Sequence, residues 1–313
     1  MAGAVHVRAL RRDRAARLIV VADPDPGARA RGAALGRAAG DRDLAAVLRR
    51  PEVEAVVVAA PSPHHAELAT EVLAAGRHLY LEKPVATDVA GAERVEAAAR
   101  SAPELVAVVG YNGRAHPLCR RARELVRGGA IGSLCHFQAR FGEPAGAGAA
   151  SWRTGAAGGV VLDLADHHVD LIGWLTDDPV VQADVDARPD RTEATVRMRT
   201  AAGVRGQGLY STRSARVHDL ELLGTEGTLR LDRYSTRLEL TRPRGAPGQA
   251  ALRRARPSSS RRPEPWRLRR LVRPAHDPSW AASLHAFALA VRGTPHDLAT
   301  VADGARNVAL LLG

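Results

Sequence analysis

The chain is 313 residues long, 45% hydrophobic and 25% charged, with a formal net charge of +11. That length favours two domains over a single core. No stretch approaches the roughly 18 apolar residues of a membrane span, and the start, Met-Ala-Gly-Ala-Val-His-Val-Arg, is too short and polar for a secretory signal, so a cytoplasmic protein is expected. The charge does not single out nucleic acid, because residues 242–277 hold eleven arginines against Glu264 and Asp277, a net +9 that leaves +2 for the rest. That Pro-, Ser- and Arg-rich segment reads as a long basic surface loop. Cys119 and Cys135, the only cysteines, form no C-x-x-C pair and supply too few thiols for a cysteine-rich zinc site, so reduced structural thiols are expected.

From the start to about residue 112, short β-branched runs alternate with alanine-rich amphipathic stretches, the pattern of βαβ units around a parallel sheet. The strands are expected at Arg17–Ala22, Ala55–Ala59, His78–Leu81 and Leu105–Gly110. Helices are expected at Ala28–Ala39, Asp43–Arg49, His65–Ala75 and Asp88–Ala99, with a helix also starting over His6–Leu10. Gly40 and Gly76 are placed as helix stops, and Thr87 or Asp88 as a cap. After Asn112 the pattern changes to a helix over Pro117–Gly128. Strands then follow at Leu134–Phe141, Gln182–Arg188, Thr192–Thr200, Arg205–Ser211, Val217–Leu223 and Thr228–Asp232, which indicates a second, largely antiparallel sheet. The fold class is α/β: a parallel-sheet domain over 1–112, then an α/β domain with an open sheet over 113–313.

Three places carry chemistry. The run His78-Leu-Tyr-Leu delivers Glu82 and Lys83 to a strand's carboxyl end, where open α/β sheets keep their ligands, and Pro84 stops the strand. Lys83 there either donates to a substrate oxygen or belongs to a solvated loop pair with Glu82. Asp23 ends the Leu-Ile-Val-Val-Ala strand. It either accepts from adenosine ribose hydroxyls, which favours NAD over NADP, or closes the turn Asp-Pro-Asp-Pro-Gly. Asp163 and His167 stand four apart and share a face if 160–175 is helical, with Gly158-Gly159 before them. His167 is the candidate general base and Asp163 the group that steadies it; alternatively His168, Asp166 and Asp170 make this a polar helix face. A metal at this cluster lacks a clear third ligand.

The ordered series Ala-Val-His-Val-Arg-Ala-Leu (4–10), Val-Val-Ala-Asp-Pro-Asp (20–25), Ala-Ala-Pro-Ser-Pro-His-His-Ala-Glu-Leu-Ala (59–69), Glu-Lys-Pro (82–84), Gly-Tyr-Asn-Gly-Arg (110–114), Gly-Ala-Ile-Gly (129–132), Ser-Trp-Arg (151–153) and Gly-Gly-Val-Val-Leu-Asp-Leu-Ala-Asp-His-His-Val-Asp (158–170) resembles the Gfo/Idh/MocA family, the glucose-fructose oxidoreductase and inositol dehydrogenase group. The resemblance implies a Rossmann-type NAD-binding domain and an α/β domain that shapes the substrate pocket and often an oligomer contact. It implies catalytic positions at Lys83, Asp163 and His167, and cofactor contacts at Gly3, Asp23, Pro61, Ser62, Glu82 and His65, the last with a helix-starting role as the alternative. On the substrate side it implies Asn112, Arg114, Trp152 and Arg153, with a core role open for Trp152.

The expected reaction is hydride transfer between NAD, rather than NADP, and a secondary alcohol of a sugar or cyclitol. A homo-oligomer, dimer or tetramer, is implied, and neither nucleic acid nor membrane is an expected partner. An NAD-using glycosidase-like activity, a ligand-binding regulator and a cofactor-defective product are the alternatives. The last arises because relatives begin about ten residues earlier, with a central strand and the first two fingerprint glycines, leaving Gly3 to match the third. Loss of that strand would expose the edges of its two neighbours and remove amides that face the pyrophosphate, so the natural start is expected upstream.

Overall fold

The computed structural model describes residues 2–144, 158–235, 237–242, 253–255 and 277–313. The chain divides into two compact units, Met1–Ala115 with Ser279–Gly313, and His116–Pro278. Among the described residues no helix is long and apolar enough to cross a membrane.

In the first unit α1 (Ala2–Leu10) precedes β1 (Val20–Ala22), α2 (Pro26–Gly36), β2 (Ala39–Asp41), α3 (Leu44–Leu48), β3 (Ala55–Val58), α4 (His65–Ala74), β4 (His78–Leu81), α5 (Val89–Arg100) and β5 (Ala107–Val109). Aspartates start three of these helices: the Asp25, Asp43 and Asp88 side chains accept from the amides of Ala28, Ala46 and Gly91. Gly76 leaves α4 at φ +68°, as a glycine stop should. Gly40, also expected to stop a helix, instead lies in β2. The turn out of α2 is made earlier by Arg37 in the left-handed region (φ 53°), whose amide reaches back to Ala33 and Ala34.

Strands β3, β4 and β5 pair in parallel. β4 is sealed: Leu79, Tyr80 and Leu81 have no exposed surface. β1 pairs in parallel with β2 alone, and among the described residues no ladder joins β1 to β3. Val20, Val21, Ala55, Val56 and Val57 are correspondingly only half-buried. Among the described residues β1 and β3 are therefore edge strands of two separate ladders.

The expected boundary of the second domain at the chain's end is corrected by two helices, α8 (Ser279–Val291) and α9 (Val301–Leu312). A short strand between them, Ala299–Thr300, pairs antiparallel with β5. Leu284, Phe287 and Leu298 pack with Tyr80 and Val108, and the Tyr80 hydroxyl is 3.0 Å from that of Ser283. The buried face of β4–β5 is apolar and needs this cover, which draws residues 279–313 back to the first unit.

The second unit opens with α6 (Pro117–Arg127) and β6 (Leu134–Gly142). A π-helical turn, Val161–Ala165, runs into α7 (Asp166–Thr176), and the strands β7 (Val180–Ala187), β8 (Glu193–Thr200), β9 (Arg205–Ser211), β10 (Val217–Gly224), β11 (Thr228–Asp232), β12 (Arg237–Arg242) and β13 (Arg253–Ala255) follow. They form one eight-stranded sheet in the order β13-β12-β11-β10-β6-β9-β8-β7, antiparallel throughout except for β6 with β9. Residues 253–255, placed in a surface loop by composition, thus extend the sheet as its edge. The rest of the basic segment beyond Arg242, up to residue 276, lies outside the described residues. Phe137, Ala139 and Phe141 of β6 point inward while Gln138 and Arg140 point out. Gly206 is opposite Phe137 in register, and a Cβ there would run into the ring.

Candidate active site

Each unit carries its own group of candidate residues. In the first, β4 is held by ladders on both sides and ends in Glu82, Lys83 and Pro84. Lys83 is half-buried, at the end of an otherwise buried strand. It is also the only lysine in the sequence; every other member of the 45 Lys and Arg residues is arginine. In a composition so biased toward arginine, retention of one ammonium at a strand end is a signal that motif and spacing arguments alone missed. Arginine keeps its charge in a broad, permanently protonated fork, whereas an ammonium is compact and can give up a proton.

Glu82 faces inward. Its Oε1 lies 2.8 Å from Nε2 of His6 on α1, with both side chains buried, and the His6 ring meets Tyr80 and Trp280 edge-on. The pair joins residues 76 positions apart, a contact that local pattern could not supply. Gly110 leaves room for it: a Cβ there would sit 2.8 Å from Glu82 Oε1. The structure thus turns Glu82, expected to touch the cofactor, toward α1.

The remaining candidates of this unit fall into two groups. Asp23 follows β1 half-exposed. One carboxylate oxygen accepts from the amide of Asp25, closing the turn, and the other has no partner among the described residues. Pro61 is exposed and Ser62 buried in the turn after β3. His65 is buried, with both ring nitrogens against backbone carbonyls. Beside Gly3, on the first turn of α1, a Cβ would meet nothing within 4 Å. On the expected substrate side, Asn112 is buried with its Oδ1 unsatisfied. Arg114 is 3.4 Å from Asp303, which caps α9 through Thr300. Burial raises the Asp303 carboxyl, but Arg114, the Thr300 amide and Arg306 outweigh it and hold it below the usual carboxylate range.

In the second unit Gly158 (φ +93°) and Gly159 (φ +54°) lead into the π turn. A Cβ on Gly159 would strike the Arg191 backbone, and the Val160 amide donates to the Arg191 carbonyl. The expected continuous α-helix over 160–175 is therefore π-helical through Ala165, with the Asp166 amide donating to Val161 O. From Val160 to Ile172 every residue is buried except two, Asp163 and His167. The alternative of a polar helix face made by Asp166, His168 and Asp170 is corrected by this burial. All three lie inside, where the sheet and α6 leave them no solvent.

His168 packs on Tyr210 and His218, and His218 stacks on Phe141 at 3.8 Å. Burial, with Arg233 adding to it, pushes the His168 imidazole down to about 3, so it stays neutral near neutrality. Burial likewise pushes His218 well down. Of the adjacent histidines, His167 alone reaches solvent. His218 was not foreseen, because nothing in its own strand marks a partner of α7. Trp152 and Arg153 lie outside the described residues. Cys119 is buried, its thiol pushed up to about 12, and Cys135 is exposed. Among the described residues no group of three or more His, Cys, Asp or Glu is arranged to hold a metal.

A parallel-sheet unit carrying polar residues at its strand ends, followed by an open-sheet unit with a half-buried Asp–His pair, is the make-up of an NAD(P)-dependent oxidoreductase. Residues 1–111 match the family model described as "Oxidoreductase family, NAD-binding Rossmann fold", and residues 119–230 match the GFO/IDH/MocA C-terminal domain. The chain is 30% identical to a dTDP-3,4-didehydro-2,6-dideoxy-alpha-D-glucose 3-reductase of Streptomyces violaceoruber, over 79% of this chain and 69% of that protein. It is also 30% identical to an inositol 2-dehydrogenase of Saccharopolyspora erythraea, over 79% and 75% respectively. A solved 3-ketoreductase from Actinomadura kijaniata, in complex with NADP, is 25% identical and superposes with a TM-score of 0.74 over 98% of this chain and 90% of that one. The chain belongs to the Gfo/Idh/MocA family of oxidoreductases.

The family implies a nicotinamide dinucleotide, and of the residues expected to touch it Gly3 and Asp23 are compatible with one. A Cβ at Gly3, at the start of α1, would meet nothing within 4 Å, and one Asp23 carboxylate oxygen has no partner among the described residues.

Proposed function

We propose that the protein interconverts a secondary alcohol of a sugar or cyclitol with its ketone, using NAD in preference to NADP. The observation that carries this reading is that Asp163 and His167 alone keep partial solvent access within an otherwise buried thirteen-residue stretch, 160–172. Asp163 lies within the π turn and His167 just after it, and π turns are frequent at functional sites. His167 takes the hydroxyl proton as the alcohol is oxidised and returns it in the reverse direction. Asp163 orients the imidazole and favours its charged form. Lys83, in the first unit, is the group given the role of donating to a substrate oxygen and stabilising negative charge as it develops. The dinucleotide supplies the hydride acceptor or donor. Asp23 holds the ribose hydroxyls and, being anionic, repels a 2′-phosphate.

The test is a panel of cyclitols, aldoses, sugar acids and nucleotide-linked ketosugars, run with each dinucleotide and followed by nicotinamide absorbance in both directions. Substrate-dependent turnover with NAD ahead of NADP is expected. Binding of sugar or dinucleotide with no net redox change across the panel would overturn the reading, and turnover that prefers NADP would remove the role given to Asp23.

A further inference from the structure

His65, at the start of α4, is 1% exposed, and both its ring nitrogens meet oxygens that can only accept hydrogen bonds. Nδ1 is 2.6 Å from the carbonyl of Pro84 and Nε2 is 2.9 Å from the carbonyl of Ala60. A neutral imidazole owns one N–H, so it satisfies one of these carbonyls and turns a lone pair toward the other; only the doubly protonated ring serves both. The two carbonyls belong to different turns. Ala60 precedes Pro61 and Ser62 after β3, and Pro84 immediately follows Lys83 after β4.

We propose that His65 is a positioning residue, a buried clamp that fixes Lys83 against the Pro61–Ser62 turn by bridging the Ala60 and Pro84 carbonyls and grips harder when its ring gains a second proton. The proposal rests on the reading of Lys83 as a catalytic group. Burial lowers the ring's proton affinity; the Pro84 and Ala60 carbonyls and then Glu82 raise it, and Lys83 lowers it, with the balance below the usual 6.5. Near neutrality the clamp therefore runs on one hydrogen bond, and a second forms only as pH falls. The charged groups bearing on the ring, Glu82 and Lys83, both come from the end of β4, the segment being positioned.

The lone lysine makes the clamp directly observable. Protein grown on 15N-lysine shows a single lysine backbone amide signal, that of residue 83. In the unaltered protein this signal should move as pH falls, with a midpoint below 6.5. In His65→Gln, which keeps an amide donor but does not titrate, it should be displaced at neutral pH and lose that movement. Where substrate turnover is measured, His65→Gln should lower kcat about tenfold and change the dinucleotide KM by less than about twofold, because a misplaced catalytic group slows the reaction more than it weakens binding. A purely structural histidine would shift Tm without separating kcat from KM. A Lys83 signal that coincides in the two proteins across the pH range overturns the clamp, whatever the turnover shows. A signal that behaves as described in a protein without redox turnover establishes the clamp and removes only the catalytic reading of Lys83.

Discussion

In the second unit every strand from β12 to β8 has a partner on each side, whereas in the first unit the run of strands breaks between β1 and β3. The break does not fall evenly on the functional residues. Lys83 stands at the end of β4, which is paired on both sides and has no exposed apolar surface, while Asp23 stands at the end of β1, held by a single ladder to β2. Groups assigned to chemistry are anchored in closed parts of the fold, and groups assigned to the dinucleotide flank its open part. The difference teaches that binding and catalysis should respond separately to perturbation.

The largest effect should come from His167. His167→Asn should lower turnover by about 10²–10⁴-fold, the usual worth of a general acid–base group, with dinucleotide affinity held within about threefold. Loss of affinity in step with turnover would merge the two regions and break the comparison. Its neighbour should behave in the opposite way, because His168 is buried and neutral. Between pH 6.5 and about 3 the unfolded chain binds a proton that folded His168 refuses, so stability falls as pH falls through that window and levels off below it. The contribution reaches up to about 5 kcal/mol. His168→Leu should flatten this part of the pH dependence of Tm in the second unit, and an unchanged slope would contradict the burial argument.

A smaller and purely structural effect is expected in hydrogen exchange. Amides of Val20–Ala22 and Ala55–Val58 should exchange at least about tenfold faster than those of Phe137–Phe141, since open edges allow local opening without unfolding of the whole sheet. Equal protection would mean that the first sheet is as tightly held as the second.

Much of this was legible in the sequence. Arg205–Ser211, Thr228–Asp232 and His78–Leu81 are strands at the expected residues, because alternation or an apolar run between turn formers fixes both ends. The end of α2 was not legible, since an arginine, not the glycine three residues later, adopts the left-handed turn. The return of residues 279–313 to the first unit and the His6–Glu82 pair were also hidden. Each depends on partners far apart in the chain that no local pattern names. At the site, spacing was enough to nominate Asp163 and His167. The same spacing chose His167 over His168, while the burial of His168 among Tyr210 and His218 was not legible, because the two histidines are equally polar in sequence. The uniqueness of Lys83 was present in the sequence all along, but only as a contrast with the arginines everywhere else.

That contrast supplies the most direct measurement: steady-state turnover of Lys83→Arg beside the unaltered protein, with dinucleotide binding followed in both by nicotinamide fluorescence. If a compact ammonium acts on the substrate oxygen, the variant keeps dinucleotide binding within about threefold and loses turnover by about a hundredfold or more. Turnover within a few-fold of the unaltered protein would show that any positive charge serves at this position and would contradict the role given to Lys83.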